Sequence, residues 1–123
     1  MEWTPDQILA YAPDPKSAKA GRDLATPRKW SSTGRDDEAA WGLCQGSGKD
    51  PYKTVIDLTE PAFKCSCPSR KFPCKHALGL FLLLADASSP VPRGEAPAFA
   101  REWLDGRRAR AEKAEKRERD REA

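Results

Sequence analysis

Apolar and polar positions change rhythm along this chain, and the changes mark its elements. From Trp41 the pattern alternates: Trp41, Leu43 and Gln45 against Gly42 and Cys44. QGSGKDP then supplies a turn, and Tyr52, Thr54, Ile56 and Leu58 alternate with Lys53, Val55 and Asp57. Period-two patterning on both sides of a Gly/Pro turn predicts a β-hairpin. After the turn TEPA, Phe63-Lys64-Cys65 returns as a candidate third strand. Alternation stops at His76, where ALGLFLLLA is leucine-rich and apolar nearly all round. That composition predicts a central core helix, since an amphipathic surface helix would keep a polar face.

Upstream, Thr4-Pro5-Asp6-Gln7 reads as a helix start, with Thr4 as N-cap, Pro5 at the first helical position and Gln7 completing a capping box. Trp3, Ile8 and Leu9 give that helix an apolar patch. Asp14-Pro15 repeats the signal and opens a second short helix over roughly residues 15–22, with Ala18 and Leu24 available for packing. ATPRKWSSTG reads as a polar loop around Trp30. ASSPVPRGEAPA, with three prolines, reads as a linker. The last segment, FAREWLDGRRARAEKAEKRERDREA, predicts a helix charged on most faces, with Glu112–Lys116 and Glu115–Arg119 in the favourable i,i+4 orientation. From Arg101 onward it holds nine basic and seven acidic residues, and beyond Leu104 only alanines are apolar. Without an a/d seam it does not predict a coiled coil; a solvated helix or a binding arm fits it.

The expected organisation is therefore α+β: a β-hairpin or three-stranded antiparallel sheet with a core helix, flanked by short helices and a charged C-terminal helix. Residues 1–35 would form the N-terminal helices and loop, 36–87 the central unit, 88–97 the Pro-rich linker and 98–123 the charged tail.

Composition narrows the chemistry. A chain of 123 residues with 33% charged residues and eleven prolines has room for one modest domain and a small core. Cores of this size often need a staple. The net charge of +3, from 22 basic and 19 acidic residues, is weak evidence for a nucleic-acid partner. MEWTPDQ carries no secretory pattern, and the longest apolar run, Ala77 to Ala85, is nine residues, less than half a membrane span. A cytoplasmic protein without a membrane partner is expected, and its thiols should be reduced.

In such a compartment KCSCPSRKFPCKHALGL points to metal. Three of the four cysteines and the only histidine fall in the twelve residues from Cys65 to His76. Cys65-x-Cys67, a gap of six, then Cys74-x-His76 supplies a Cys₃His set, which suits one closed, structural, tetrahedral Zn²⁺. Cys65 and Cys67 share strand parity, and a bend at Pro68 lets their sulfurs converge. His76 falls in the first turn of the apolar helix, whose N-terminus favours thiolates. Zinc would clamp sheet to helix and be part of folding. A Cys65–Cys74 disulfide, chance burial, and a redox or catalytic role are the competing readings; the first conflicts with the reduced compartment, and saturated coordination opposes the last.

CSCPSRKFPCKHALGLFLLL resembles the SWIM zinc-finger family, whose motif is CxC, a variable gap, then CxH. The resemblance continues through WGLCQGSGKDPYKTVIDL, and WTPDQILAYAPD and LATPRKWSS look like the start of bacterial SWIM-domain proteins, so it spans roughly residues 1–87. It implies that Cys65, Cys67, Cys74 and His76 ligate zinc, in a ββα-like finger thought to bind DNA, proteins or both. It implies no catalytic activity and no small-molecule substrate. Bacterial members of this kind are usually longer, which implies that these residues are the N-terminal part of a larger protein.

The loop itself is a candidate contact surface. Residues 64–76 hold Lys64, Arg70, Lys71 and Lys75 without an acid, and Phe72 interleaves with them. Three thiolates on one zinc leave about −1, so the surroundings stay net positive. Basic side chains beside an aromatic suit phosphate tracking and base stacking, which makes DNA the favoured partner and these five residues the nucleic-acid-binding set. Against this stands the plainer reading: the lysines offset the anionic site and Phe72 packs on the core. A protein-interaction module is the alternative function. Arg28 and Lys29 beside Trp30 could extend the patch. GSGKD is no P-loop, because Leu43 and Asp50 stand where Gly and Ser/Thr are required, and no helix follows. Cys44 reads as a packing residue, and Asp36-Asp37-Glu38 as a solvated loop.

Overall fold

The computed structural model describes residues 3–46, 49–69, 71–86 and 91–122. The N-terminal helix starts as its sequence dictates. In α1 (Pro5–Leu9), Thr4 Oγ1 accepts from the Gln7 N–H at 3.2 Å while Gln7 Oε1 accepts from the Thr4 N–H at 2.9 Å, a complete capping box. In α2 (Pro15–Leu24), Asp14 Oδ1 takes the Ser17 N–H at 2.7 Å. A 3₁₀ turn over Pro27–Lys29 follows, and Trp30 Nε1 donates to the Leu24 carbonyl at 2.8 Å, tying the turn to the end of α2.

Four strands then form an antiparallel meander in chain order: β1 (Trp30–Arg35), β2 (Ala39–Cys44), β3 (Tyr52–Asp57) and β4 (Ala62–Cys65). The α+β class and the hairpin stand as expected, with Ala39 opposite Asp57 through Cys44 opposite Tyr52, and β4 returning with Cys65 opposite Thr54. The departure is β1, expected as a polar loop around Trp30. Its register shifts between Ser31 and Gly34, with Ser32 at φ 51°. That bulge breaks the period of two, so an edge strand of Ser, Thr and Gly carries no alternation to read. Its β2 neighbour supplies the reason it forms.

The helix after the cluster, α3 (Lys75–Ala85), is buried from His76 to Leu84. It lies on one face of the sheet with Ala40, Cys44 and Ile56, and α1 and α2 cover its remaining sides through Ile8, Trp3 and Leu24. Being apolar all round is thus the correct pattern for a helix enclosed on every side.

The second sheet face is also covered. The first turns of α4 (Ala98–Glu122) bury Ala100 and Leu104 against Ala39, Trp41 and Val55. This is why Val55 and Asp57 are buried along with Thr54 and Ile56, where alternation had implied one buried face. Arg107 completes the anchorage: its Nε donates to Asp57 Oδ2 at 2.9 Å and its Nη2 to Glu60 at 2.5 Å, while Arg108 pairs with Glu38. The proline-rich segment before α4 docks on the outer edge of β1. Arg35 N–H donates to the Pro92 carbonyl at 3.0 Å, the Gly94 N–H to the Arg35 carbonyl at 2.9 Å, and Val91 joins the core. The Arg35 end of that strand edge is thereby closed. Among the described residues no helix is long and apolar enough to cross a membrane.

Candidate metal centre

The end of β4 presents the first pair of donors. Cys65 is the last residue of the strand, and the ladder continues one step beyond it: the Ser66 N–H donates to the Lys53 carbonyl at 3.1 Å, and Ser66 Oγ accepts from the Lys53 N–H at 2.9 Å. Ser66 is held outward by β3, so Cys65 and Cys67 face inward together, as strand parity requires. Pro68 turns the chain into a loop in which Ser69 Oγ accepts from the Lys71 N–H at 3.2 Å. The loop returns through a cis Phe72–Pro73 bond, and Pro73 is buried.

Cys74 is the N-cap of α3, with extended backbone at φ −75° and ψ 172°. Its carbonyl accepts the Leu78 N–H at 3.0 Å, which places His76 in the first turn. One ligand atom from each of Cys65, Cys67, Cys74 and His76 lies within 4.8 Å of the other three, and Cys74 Sγ stands 3.9 Å from His76 Nδ1. Sulfurs on one tetrahedral zinc are about 3.8 Å apart, given Zn–S bonds of about 2.3 Å. The four donors therefore need a contraction of at most about 1 Å to close on one ion.

The electrostatics of the donor set point the same way. Cys65 is drawn down to about 4, first by the Cys74 side chain, against the cost of its burial, with His76, the Thr54 hydroxyl and the Cys67 N–H assisting. Its thiolate then opposes a second. The hydrogen bond to Cys65, together with burial, drives Cys74 upward, and burial followed by the charge on Cys65 raises Cys67. The Ala77 N–H acts on Cys74, and the Ser69 N–H on Cys67, in the opposite direction. A thiolate on Cys65 thus opposes ionisation of its neighbours, and a dication among the three sulfurs would offset that repulsion. The residues fit zinc, which would supply structural cross-linking.

Around the donors lie groups the sequence did not single out. Thr54 Oγ1 stands 3.3 Å from Cys65 Sγ, and the Tyr52 ring lies over His76 with centroids 4.8 Å apart. Both have the inward parity already visible in the alternation of β3, but which inward residues reach a metal depends on the pairing of Thr54 with Cys65. Orientation of the ligands by such neighbours tunes a metal site. Cys44 is buried in the main core, 0% exposed, outside the donor set.

The basic loop residues separate. Lys75 and Lys71 are exposed, and Phe72 is 47% exposed, so it does not pack into the core. Lys71 Nζ is paired with Asp14 Oδ2 at 2.5 Å, which holds the loop to the cap of α2 and helps keep the Asp14 carboxyl well below the usual range. Lys64 is exposed on β4 opposite Val55, on the sheet face away from Cys65. Arg70 and the middle of the GSGKD turn lie outside the described residues. Arg28 and Lys29 sit in the 3₁₀ turn before β1. Asp36 caps its own turn by accepting the Glu38 and Ala39 N–H groups at 2.8 Å, while Asp37 pairs with Arg93. A cleft of about 650 Å³ opens beside the centre, bordered by Lys16, Tyr52, Lys71, Lys75 and the ligands Cys67 and His76.

Residues 63–85 match the family model described as SWIM zinc finger. No curated protein and no solved structure matches the chain. The matched segment begins on β4, takes in all four donors and ends with α3. Residues 63–85 thus match a SWIM zinc finger, and within them Cys65, Cys67, Cys74 and His76 are positioned to hold one zinc ion.

Proposed function

We propose that this zinc-stapled module binds DNA, with the zinc loop as its contact surface. The observation that carries the reading is Phe72: a large aromatic, 47% exposed, on a loop where Lys71 and Lys75 are also exposed. A solvent-facing aromatic beside ammonium groups can stack on an unpaired base while the lysines meet phosphates. Lys75 is the principal described cation of that surface, Lys71 contributes as far as Asp14 releases it, and Lys64, exposed on the opposite sheet face, would contact phosphate apart from the loop. Arg70 belongs to the set by its place in the sequence. Discrimination between sequences should be slight, because α3 is enclosed and no helix presents side chains to a groove from this loop. The reading is of a binding module rather than an enzyme: four protein donors complete a tetrahedral shell and leave no position for a water or substrate.

The test is fluorescence anisotropy of zinc-loaded protein with labelled single- and double-stranded DNA at low and moderate salt. Binding should fall steeply with salt, and Lys75→Gln should flatten the slope by about one unit. Phe72→Ala should weaken single-strand binding by about 1–3 kcal/mol. A second reading, a protein-interaction module, is favoured by the Lys71–Asp14 pair, which neutralises part of the basic loop. On that reading Phe72→Ala abolishes partner capture at every salt concentration, and DNA is not bound.

A further inference from the structure

The far half of α4 carries three cations, Arg110, Lys113 and Arg117, that take part in no ion pair among the described residues. From Ala109 to Glu122 every residue is exposed, which at about 1.5 Å per residue is about 20 Å of helix standing clear of the sheet. Its base is immobilised by Ala100, Leu104 and the Arg107 and Arg108 ion pairs, so the free part has a defined direction and rotation. With about 100° per residue, Arg110, Lys113, Arg117 and Arg121 fall within an arc of about 80°. No acid lies inside that arc; Asp120 is at its edge. Glu115, Glu118 and Glu122 instead follow the line of Ala100 and Leu104, about 130° round the helix from the middle of that arc.

This segregation is costly to the helix itself. At three and four residues from Lys113 stand Ala109, Arg110, Lys116 and Arg117, without a carboxylate among them. Arg110 has Gly106, Arg107, Lys113 and Ala114 at the same spacings. Like charges at i,i+4 destabilise a helix by about 0.2–0.5 kcal/mol per pair, the amount by which a favourable pair stabilises it. Elsewhere on α4 the sequence does place opposite charges in register, as in Glu112–Lys116 and Glu115–Arg119, and Arg121 is paired with Glu118 at 2.7 Å. Among the described residues no ion pair involves Arg110, Lys113 or Arg117.

We infer that this stripe is a second nucleic-acid contact: an arm, fixed at its base, that lays Arg110, Lys113 and Arg117 along the phosphate backbone of duplex DNA. The inference rests on the DNA-binding reading above and adds a surface to it. Charge complementarity selects the occupant. A duplex offers one negative charge per about 1.7 Å of axis, so a linear array of three cations about 10 Å long meets several phosphates at once. Contact with phosphates relieves the repulsion along the stripe and displaces condensed counterions, while reading no base.

Two matched double variants test it, each removing one lysine and one arginine and each replacing them with a good helix former. Lys113→Gln/Arg117→Gln removes the stripe; Lys116→Gln/Arg119→Gln removes the same charge from other faces. Zinc-loaded proteins are titrated with a labelled 20-base-pair duplex across salt, with far-UV dichroism to confirm equal helix content. The stripe variant should flatten the slope of log K against log salt by about two units and weaken binding at least tenfold at about 0.1 M salt, with the control close to the parent protein. Equal losses in both variants would reduce the effect to net charge and overturn the arm. Unchanged binding by the stripe variant, with Lys75→Gln still damaging, would also overturn the arm while the finger reading stood. Absence of duplex binding by the parent protein at low salt would overturn the arm, and absence of single-strand binding as well would remove the finger reading.

Discussion

Gly79 of α3 lies directly under Leu24 of α2. A Cβ on Gly79 would stand 2.8 Å from Leu24 Cβ and 3.3 Å from the Gly21 carbonyl oxygen, and a Cβ on Gly21 would stand 2.7 Å from Leu78 Cβ. The helices cross with glycine facing the neighbour's backbone on both sides. The atoms in the way are close to the backbone, so no rotamer change accommodates a methyl group. The N-terminal residues are in this manner part of the metal module's core, since α3 carries both Cys74 and His76 at its start.

Gly79→Ala and Gly21→Ala should each destabilise the zinc-loaded protein by about 1–3 kcal/mol through overpacking, despite alanine's better helix propensity. Urea unfolding reads this. Because the two positions share one contact, the double variant should depart from additivity. A gain in stability from either alanine would mean that the helices are farther apart than described.

Zinc should be present at one per chain, and Cys74→Ser or a strong chelator should abolish the cooperative thermal transition. Binding of a structural zinc is on the order of 10 kcal/mol in finger peptides, comparable with the whole stability of a small domain. Metal analysis and thermal dichroism check this. An unchanged midpoint after metal removal would show that the apolar contacts of α3 suffice without the staple.

Asp14→Asn separates the two functions of Asp14. Asparagine keeps the N-cap of α2, so stability should change little, but Lys71 loses its ionic partner. DNA binding should tighten and its salt slope should steepen by about one unit. If Lys71 serves only to hold the loop, the same substitution leaves the slope unchanged.

Asp57 should make stability sensitive to acid. Burial pushes its carboxyl up, but hydrogen bonds from Thr59 and Arg107 outweigh this and leave it lowered. A lowered folded-state value stabilises the native protein above the unfolded carboxylate range, near about 3.9, and this is lost as pH falls through the folded value. Asp57→Asn should therefore cost about 1–2 kcal/mol at neutral pH, with the difference from the parent shrinking below about pH 4. Unfolding at several pH values checks it; an equal difference at every pH would exclude the carboxylate charge as the cause.

What the chain determined by itself is local chemistry. The caps of α1 and α2 are legible because Thr4, Asp14 and their prolines act on N–H groups within three residues. The Cys₃His set is legible because four donors within twelve residues leave little else for them to do, and the hairpin of β2 and β3 because alternation and turn are contiguous. The tertiary structure decided whatever depends on residues distant in the chain. Strand β1 exists because β2 offers it an edge, and its bulge at Ser32 erases the period that would have announced it. Val55 and Asp57 are buried because α4 returns to the second face of the sheet from about fifty residues away. Lys71 is paired because the zinc loop folds against Asp14, 57 residues earlier. Covalent neighbours constrain one another at every stage of folding, whereas these partners meet only once loops have closed, and loop closure leaves no mark on local sequence pattern.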